Sequence, residues 1–284
     1  MLSKLNKVKK VDPNPEVNKI VQHRYSEKNF LTKKNIKTTE FERIVSESDI
    51  KKNKNLLPGI LKTSTLGYDG KGQYKLNNLD DLDNHKISFD REFVLEKLVN
   101  LEKEISVVIT RFSKDNYEIY EPIENLHEEQ ILKYSTIPAQ INLSHFKKSQ
   151  EWAKLISEEL QYVGTLCVEF FIDKDQNLYV NEIAPRVHNS GHLTINAYNI
   201  SQFENHVRAV CGLEKIKLEK ICNAKMINII GDEINNYRNK TYTEKEFFFD
   251  YLKKQIKPKR KMGHLTIIEN LSLIHISEPT RRTT

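Results

Sequence analysis

The sequence predicts an α+β fold, and three observations carry that reading. Stretches of strand and helix character are mixed along the chain, without the regular alternation that builds a doubly wound sheet. Residues 165–183 read as one hairpin: β-formers over 165–171, alternating apolar and polar residues over 178–183, and a Lys-Asp-Gln-Asn turn cluster at 174–177. A glycine-containing loop at 67–73 leads into a strand-like segment rather than a helix.

The elements follow in order. The first twenty or so residues are basic, hold Pro13 and Pro15, and show no strong period, so they read as a linker or tail. Residues 28–31 and 39–48 carry short, weakly amphipathic helical patterns. Residues 56–61 and 73–76 read as strands flanking the glycine loop, and 89–96 and 105–112 as further strands. Residues 144–162 form a helix with Phe146, Trp152, Leu155, Ile156 and Leu160 on its apolar face and Ser144 as its cap. Ser201 and Glu204 make a capping box opening a second helix, with Phe203, Val207 and Val210 inward and Gly212 as its stop. Residues 224–230 are an apolar strand. The tail at 273–284 resembles translated sequencing-adaptor read-through and is set aside from fold reasoning.

At 284 residues the chain can bury a sizeable core. No apolar run approaches the length of a membrane span, and no secretory pattern follows Met1, so neither a membrane nor export is expected. The net charge of +6 comes from 45 basic against 39 acidic residues, scattered without a basic stripe or interleaved aromatics, which argues against nucleic acid. Cys167, Cys211 and Cys222 fit no metal pattern and read as reduced thiols of a cytoplasmic protein.

The hairpin brings two acids together. A four-residue loop closed by Asp173 and Leu178 sets Glu169 directly opposite Glu182, with Cβ atoms roughly 5 Å apart, which is unfavourable without an offset. A divalent cation shared with nucleotide phosphates is the simplest offset. On spacing alone the pair reads equally well as two incidental acids on a solvated edge. A calcium loop is rejected, because Leu178 stands where the run from Asp173 needs Gly and Ala184 where it needs Glu. His188 and His192 sit four apart like zinc ligands, but Asn189, Ser190 and Gly191 between them break a helix, so the segment reads as a binding loop. The glycine loop is neither of the common phosphate-loop motifs. It reads as an Asp-Gly turn or as a flap whose backbone N–H groups close over phosphates, with Lys62 just before it.

Taken together, three strings decide between these readings: Lys62 with Gly67-Tyr-Asp-Gly-Lys-Gly-Gln73, Asn181-Glu-Ile-Ala-Pro-Arg-Val-His-Asn-Ser-Gly-His192, and Lys257-Pro-Lys-Arg-Lys-Met-Gly-His264. The chain resembles, from about residue 11 to 269, the 5-(carboxyamino)imidazole ribonucleotide synthetases, ATP-grasp enzymes of purine biosynthesis. The resemblance implies two α+β subdomains followed by a small β-rich C-terminal domain. The expected division is 1–22 as the tail of an absent N-terminal α/β domain, 23–95 as the small subdomain, 96–212 as the large one, 213–270 as the C-terminal domain and 271–284 as non-native. It implies ATP and Mg²⁺ as cofactors, aminoimidazole ribonucleotide and bicarbonate as substrates, and a homodimer when full length.

The same resemblance implies roles. Glu169 and Glu182 match magnesium ligands. Arg24, Lys62, the flap residues Gly67, Tyr68, Asp69, Gly70, Lys71, Gly72 and Gln73, and Asn181 match nucleotide contacts. Glu96, Lys97, Leu98 and Val99 match the hinge that reads the adenine edge, Glu104 a ribose-binding acid, and His127 another nucleotide contact. Tyr68 and Asp69 are placed to meet the imidazole, with Asp69 and Arg186 as catalytic residues. His188, Asn189 and Ser190 belong to the substrate loop, and Lys253 and Arg260 match positions holding the ribonucleotide 5′-phosphate. Arg186 shares a face with Glu182 if the strand persists through Pro185, and its fork suits a carboxyphosphate. Two departures stand out: Ala184 replaces a frequent Asn, and Lys257 and Lys259 stand where Arg and Gly are expected. If position 259 requires positive φ, lysine there is strained by about 1–2 kcal/mol. The alternative functions are another ATP-grasp purine ligase, such as a glycinamide ribonucleotide transformylase, and an inactive nucleotide-binding fragment.

Overall fold

In the computed structural model, residues 4, 6–8, 11–65 and 72–269 are described. Two antiparallel sheets face one another across a cleft. The chain starts with α1 (Val17–Val21) and α2 (Arg24–Lys33), then lays down β1 (Phe41–Ile44), α3 (Glu47–Lys52), β2 (Gly59–Thr63), β3 (Gln73–Leu76), α4 (Asp81–His85) and β4 (Phe93–Lys97). Their strands form a four-stranded sheet in the order β1-β4-β2-β3. Period-2 alternation divides its faces. Leu61, Leu76, Phe93 and Leu95 pack with Ile44, Ile50, Leu56 and Leu82 into a core, while Ile60, Lys62, Gln73 and Lys75 face the cleft.

The larger sheet is built from β5 (Leu101–Ser113), β6 (Asn116–Ile119), β7 (Ile123–Glu128), β8 (Ile131–Ile137), β9 (Gly164–Asp173), β10 (Leu178–Ala184), β11 (Asn223–Ile230), β12 (Glu246–Asp250) and β13 (Lys261–Glu269). Its order is β10-β9-β5-β7-β8-β11-β13-β12, with β6 beside β5, so the C-terminal strands extend this sheet. The long helix α5 (Leu143–Glu159) supplies Ala153 and Ile156 to a core with Ile105, Val107, Val168 and Phe170 behind the sheet, joined by Leu31 of α2. The front face is covered by a 3-10 turn at Ser190–Leu193, by α6 (Thr194–Ala197) and by α7 (Gln202–Val210), while α8 (Ile234–Arg238) packs on β12 and β13.

Several elements depart from expectation. The segment read as a helix over 39–48 is strand β1 followed by a short helix capped by Ser46 and Asp49, because β1 gains a ladder with β4 that outweighs weak local propensity. The long helix begins one residue earlier than predicted and is capped by Asn142, whose side chain accepts from the His145 N–H. Its inward face is Ser149, Ala153, Ile156 and Ser157, with Leu155 exposed. In α7 the Ser201 cap holds, accepting from the Glu204 N–H, but the buried residues are Gln202, Asn205 and Ala209 and Val207 is half exposed. That face is polar because it meets Tyr120 and the loop around His188, which need hydrogen-bond partners.

Lys259 adopts φ 61°, the left-handed conformation that costs a side-chain-bearing residue about 1 kcal/mol or more. Its ion pair with Glu129 is exposed and contributes little. Lys259→Gly is therefore expected to stabilise the protein by about 1 kcal/mol in denaturant unfolding; an unchanged or lower midpoint would show the turn to be unstrained.

Candidate functional site

The geometry of the acid pair follows from a hairpin unlike the one predicted. Leu178 pairs with Ile172, so the loop holds three residues, closed by a Gln176 N–H to Asp173 C=O bond and with Gln176 at φ 61°. Continued unbroken, that register would set Glu169 opposite Asn181. A bulge at Asn181 restores it, and Glu182 stands directly opposite Glu169. The predicted pairing is reached, by a shorter loop plus one extra residue. Strand β10 ends at Ala184, so it does not run through Pro185, yet Arg186 still reaches the same cavity.

That cavity, of 840 Å³, lies between the two sheets. It gathers Arg24, Lys62, Gln73, Glu104, His127, Glu169, Asn181, Glu182, Arg186, His188 and Asn189 of the predicted residues. It adds Ile60, Lys75, Gln130, Leu132, Phe171 and Lys261, which sequence reasoning missed. Ile60 from one sheet and Leu132 and Phe171 from the other give apolar walls fit for a flat ring, while the cations suit an anion-rich tail. Gly72 sits at φ 72° beside Thr63; Gly67, Tyr68, Asp69, Gly70 and Lys71 lie outside the described residues. Glu96, Lys97, Leu98, Val99, Ser190, Lys253 and Arg260 do not line the cavity. Glu96 is buried beneath Lys62, and Ser190 turns into the interior. Lys253 donates to the Lys261 C=O at 2.6 Å, and Arg260 to the Gln255 C=O at 3.1 Å.

Each acid of the pair has a protein cation. Arg24 Nη1 donates to Glu182 Oε2 at 3.2 Å, and His188 Nε2 lies 2.8 Å from Glu169 Oε1. Burial favours the neutral form of Glu169, but the bond from His188 outweighs it and holds the carboxyl down to about 2. His127 pairs with Glu104 at 2.7 Å. Among the described residues no group of three or more His, Cys, Asp and Glu side chains converges as a metal cage. Two carboxylates on one face of a cavity suffice for magnesium, which keeps waters and shares phosphate oxygens. The donors present therefore fit that ion, and Glu169 and Glu182 are the residues that would hold it.

Behind Glu169 runs a chain of buried polar groups that the sequence did not reveal. His188 Nδ1 bonds Ser190 Oγ at 2.8 Å, Ser190 shares a hydrogen bond with Ser106 at 2.8 Å, Asn125 Nδ2 donates to Ser106 Oγ at 2.9 Å, and Ser135 donates to Asn125 Oδ1 at 2.9 Å. Gln202 fixes the loop above by accepting from the His188 N–H at 2.9 Å and donating to its C=O at 2.6 Å. A Cβ on Gly191 would fall 2.5 Å from Gln202 Oε1, so glycine is required for that approach. The available signal was two polar residues on one face of an otherwise apolar stretch, Ser106 and Thr110 in β5, four positions apart.

The comparisons with known proteins agree with this architecture. Residues 29–203 match the model of the ATP-grasp domain, and residues 224–272 that of the phosphoribosylaminoimidazole carboxylase C-terminal domain. The chain is an ATP-grasp protein. It is 38% identical over 271 residues to an N5-carboxyaminoimidazole ribonucleotide synthase of Brucella melitensis, covering 94% of this chain and 75% of that one. Against the Staphylococcus aureus (strain COL) enzyme of the same name it is 38% identical over 256 residues, 88% of this chain and 68% of that one. The crystal structure of N5-carboxyaminoimidazole synthetase from Staphylococcus aureus complexed with ADP superposes with a TM-score of 0.87 at 36% identity, covering 94% of this chain and 73% of that one. That of the Aspergillus clavatus synthase with ADP and 5-aminoimidazole ribonucleotide gives 0.86 at 28% identity, over 94% and 74%. Within the ATP-grasp class, the chain belongs to the N5-carboxyaminoimidazole ribonucleotide synthase family.

Two outcomes test the site's framework. Ser106→Ala should destabilise the fold by about 1–3 kcal/mol in urea, since Asn125 and Ser190 lose a buried partner; a near-neutral change would mean the chain of hydroxyls is dispensable. Glu27, which accepts the Ile183 N–H at 2.6 Å, is pushed from the ordinary 4.5 up to about 8, first by burial and then by Glu182. The folded state thus holds this proton more tightly than the unfolded chain, so the contribution to stability is full below about pH 4.5 and declines as pH rises through about 8. Glu27→Gln should flatten that decline in unfolding curves across this window; an unchanged slope would place its origin elsewhere.

Proposed function

We propose that this chain catalyses the ATP-dependent carboxylation of 5-aminoimidazole ribonucleotide with bicarbonate, giving N5-carboxyaminoimidazole ribonucleotide, ADP and phosphate. The observation that carries the reading is the cavity between the two sheets, where facing carboxylates, apolar walls and a surplus of cations meet. Bicarbonate oxygen attacks the γ-phosphorus as the bond to ADP breaks, forming carboxyphosphate. The amine of the ribonucleotide then takes the carboxyl carbon, and phosphate leaves. Bound magnesium supplies charge neutralisation for the phosphates, held by Glu169 and Glu182.

The protein's own part is positioning and electrostatics. Lys62 and Arg24 draw the polyphosphate, Ile60, Leu132 and Phe171 hold the base, and Glu104 with His127 is placed for the ribose. The Arg186 guanidinium offers its fork to the oxygens of carboxyphosphate. His188 and Asn189 face the same cavity and orient the ribonucleotide, whose phosphate is assigned to the cationic turn of Lys253 and Arg260. The reading extends to a homodimer when full length, in a reducing, cytoplasmic compartment; Cys167, Cys211 and Cys222 are free thiols.

The chain should release ADP when supplied with ATP, bicarbonate and aminoimidazole ribonucleotide together. Release that depends instead on glycinamide ribonucleotide and formate would move it to another ligase. Glu182→Gln should lower bicarbonate-dependent ADP formation by about a hundredfold or more, and retention of most activity would remove the metal-ligand role.

A further inference from the structure

Beneath the cleft wall lies a charge arrangement larger than one ligand contact needs. Glu96 is 3% exposed, and its Oε2 receives Lys62 Nζ at 3.0 Å, Lys28 Nζ at 3.1 Å and Thr39 Oγ1 at 3.1 Å. Its other oxygen, Oε1, is buried without a hydrogen-bond partner among the described residues. Lys28 is 1% exposed, rises from α2, and also donates to Thr38 and Thr39 at 3.0 Å. Of the two lysines only Lys62 lines the cavity. Burial pulls the Lys28 pKa down, but its three acceptors, Glu96 Oε2, Thr38 Oγ1 and Thr39 Oγ1, match the three donors of an ammonium group. With Lys62 on the same carboxylate oxygen, the cluster carries one cation more than Glu96 needs.

A surplus of this kind has a use if one cation must be lent to a ligand. Were Lys62 the sole counterion of Glu96, drawing it toward an anion would strand a buried carboxylate, the outcome that makes broken internal ion pairs costly. With Lys28 in place the carboxylate stays neutralised and hydrogen-bonded when Lys62 turns away. We propose that Lys28 is a positioning residue for phosphate recognition: it is the standing counterion of Glu96, and so frees Lys62 for the polyphosphate of the nucleotide. This rests on the ATP-binding reading above. Lys28 touches no ligand itself and acts only through Glu96.

Calorimetric titration of the chain with a magnesium-bound, non-hydrolysable ATP analogue, and separately with adenosine, tests it. Lys28→Met should weaken the triphosphate by about tenfold or more while adenosine changes by less than about twofold. Adding Glu96→Gln, which removes the charge competing for Lys62, should restore triphosphate affinity to within about threefold of the unaltered chain. Should Lys28→Met alone not fold, Glu96→Gln is compared with the double variant, and equal triphosphate affinity is expected. Equal weakening of both ligands, no weakening, or a double variant that stays weak would each overturn the role. An unaltered chain that binds neither ligand would defeat the ATP reading itself, and is seen before any variant is titrated.

Discussion

Two like charges forced together set the terms for the rest of this molecule. Glu169 and Glu182 stand opposite one another on adjacent strands because of a one-residue bulge, and their repulsion must be met by something. In the protein by itself it is met by Arg24 and His188. His188 is in turn held by Ser190 and by the Gln202 side chain that anchors its backbone. On the proposed function, a ligand that brought its own cation to the carboxylates would free Arg24 and His188 for its oxygen atoms. The cavity thus presents both signs of charge on one wall, which fits the proposed metal-bound nucleotide.

One helix connects this pair to the opposite wall. Arg24, Glu27 and Lys28 occupy i, i+3 and i+4 positions at the start of α2 and so share one face. Arg24 reaches Glu182, Glu27 takes the Ile183 N–H, and Lys28 reaches Glu96 on the small sheet. The edge of β10 is further closed by the Val180 N–H to Lys37 C=O bond and by Thr38. The two sheets that wall the cavity are thus tied through three side chains within five residues, which holds the cleft in register.

What the sequence could reveal was what local chemistry decides. The strand at residues 73–76, the acid pair and the Ser201 cap all follow from short-range rules, and the structure bears them out. The hairpin shows the limit: loop length and bulge were both misread, and the two errors cancelled at position 182. Strand β1 was missed because its partner lies some fifty residues away, and the polar face of α7 because its partners are Tyr120 and His188. The sequence assigns Glu27 and Lys28 no role, because only tertiary packing buries and pairs them. Lys261, next to Arg260 in a basic run, could not be told from its neighbours until strand alternation pointed it into the cavity.

The central claim is that Glu169 and Glu182 jointly hold a divalent ion. Anomalous scattering from crystals grown with manganese and ADP measures this directly. A single manganese peak at roughly 2.0–2.4 Å from oxygens of both carboxylates, with Arg24 and His188 drawn off them, is the predicted result. A peak bound elsewhere in the cleft, with the two carboxylates still paired to Arg24 and His188, would contradict it.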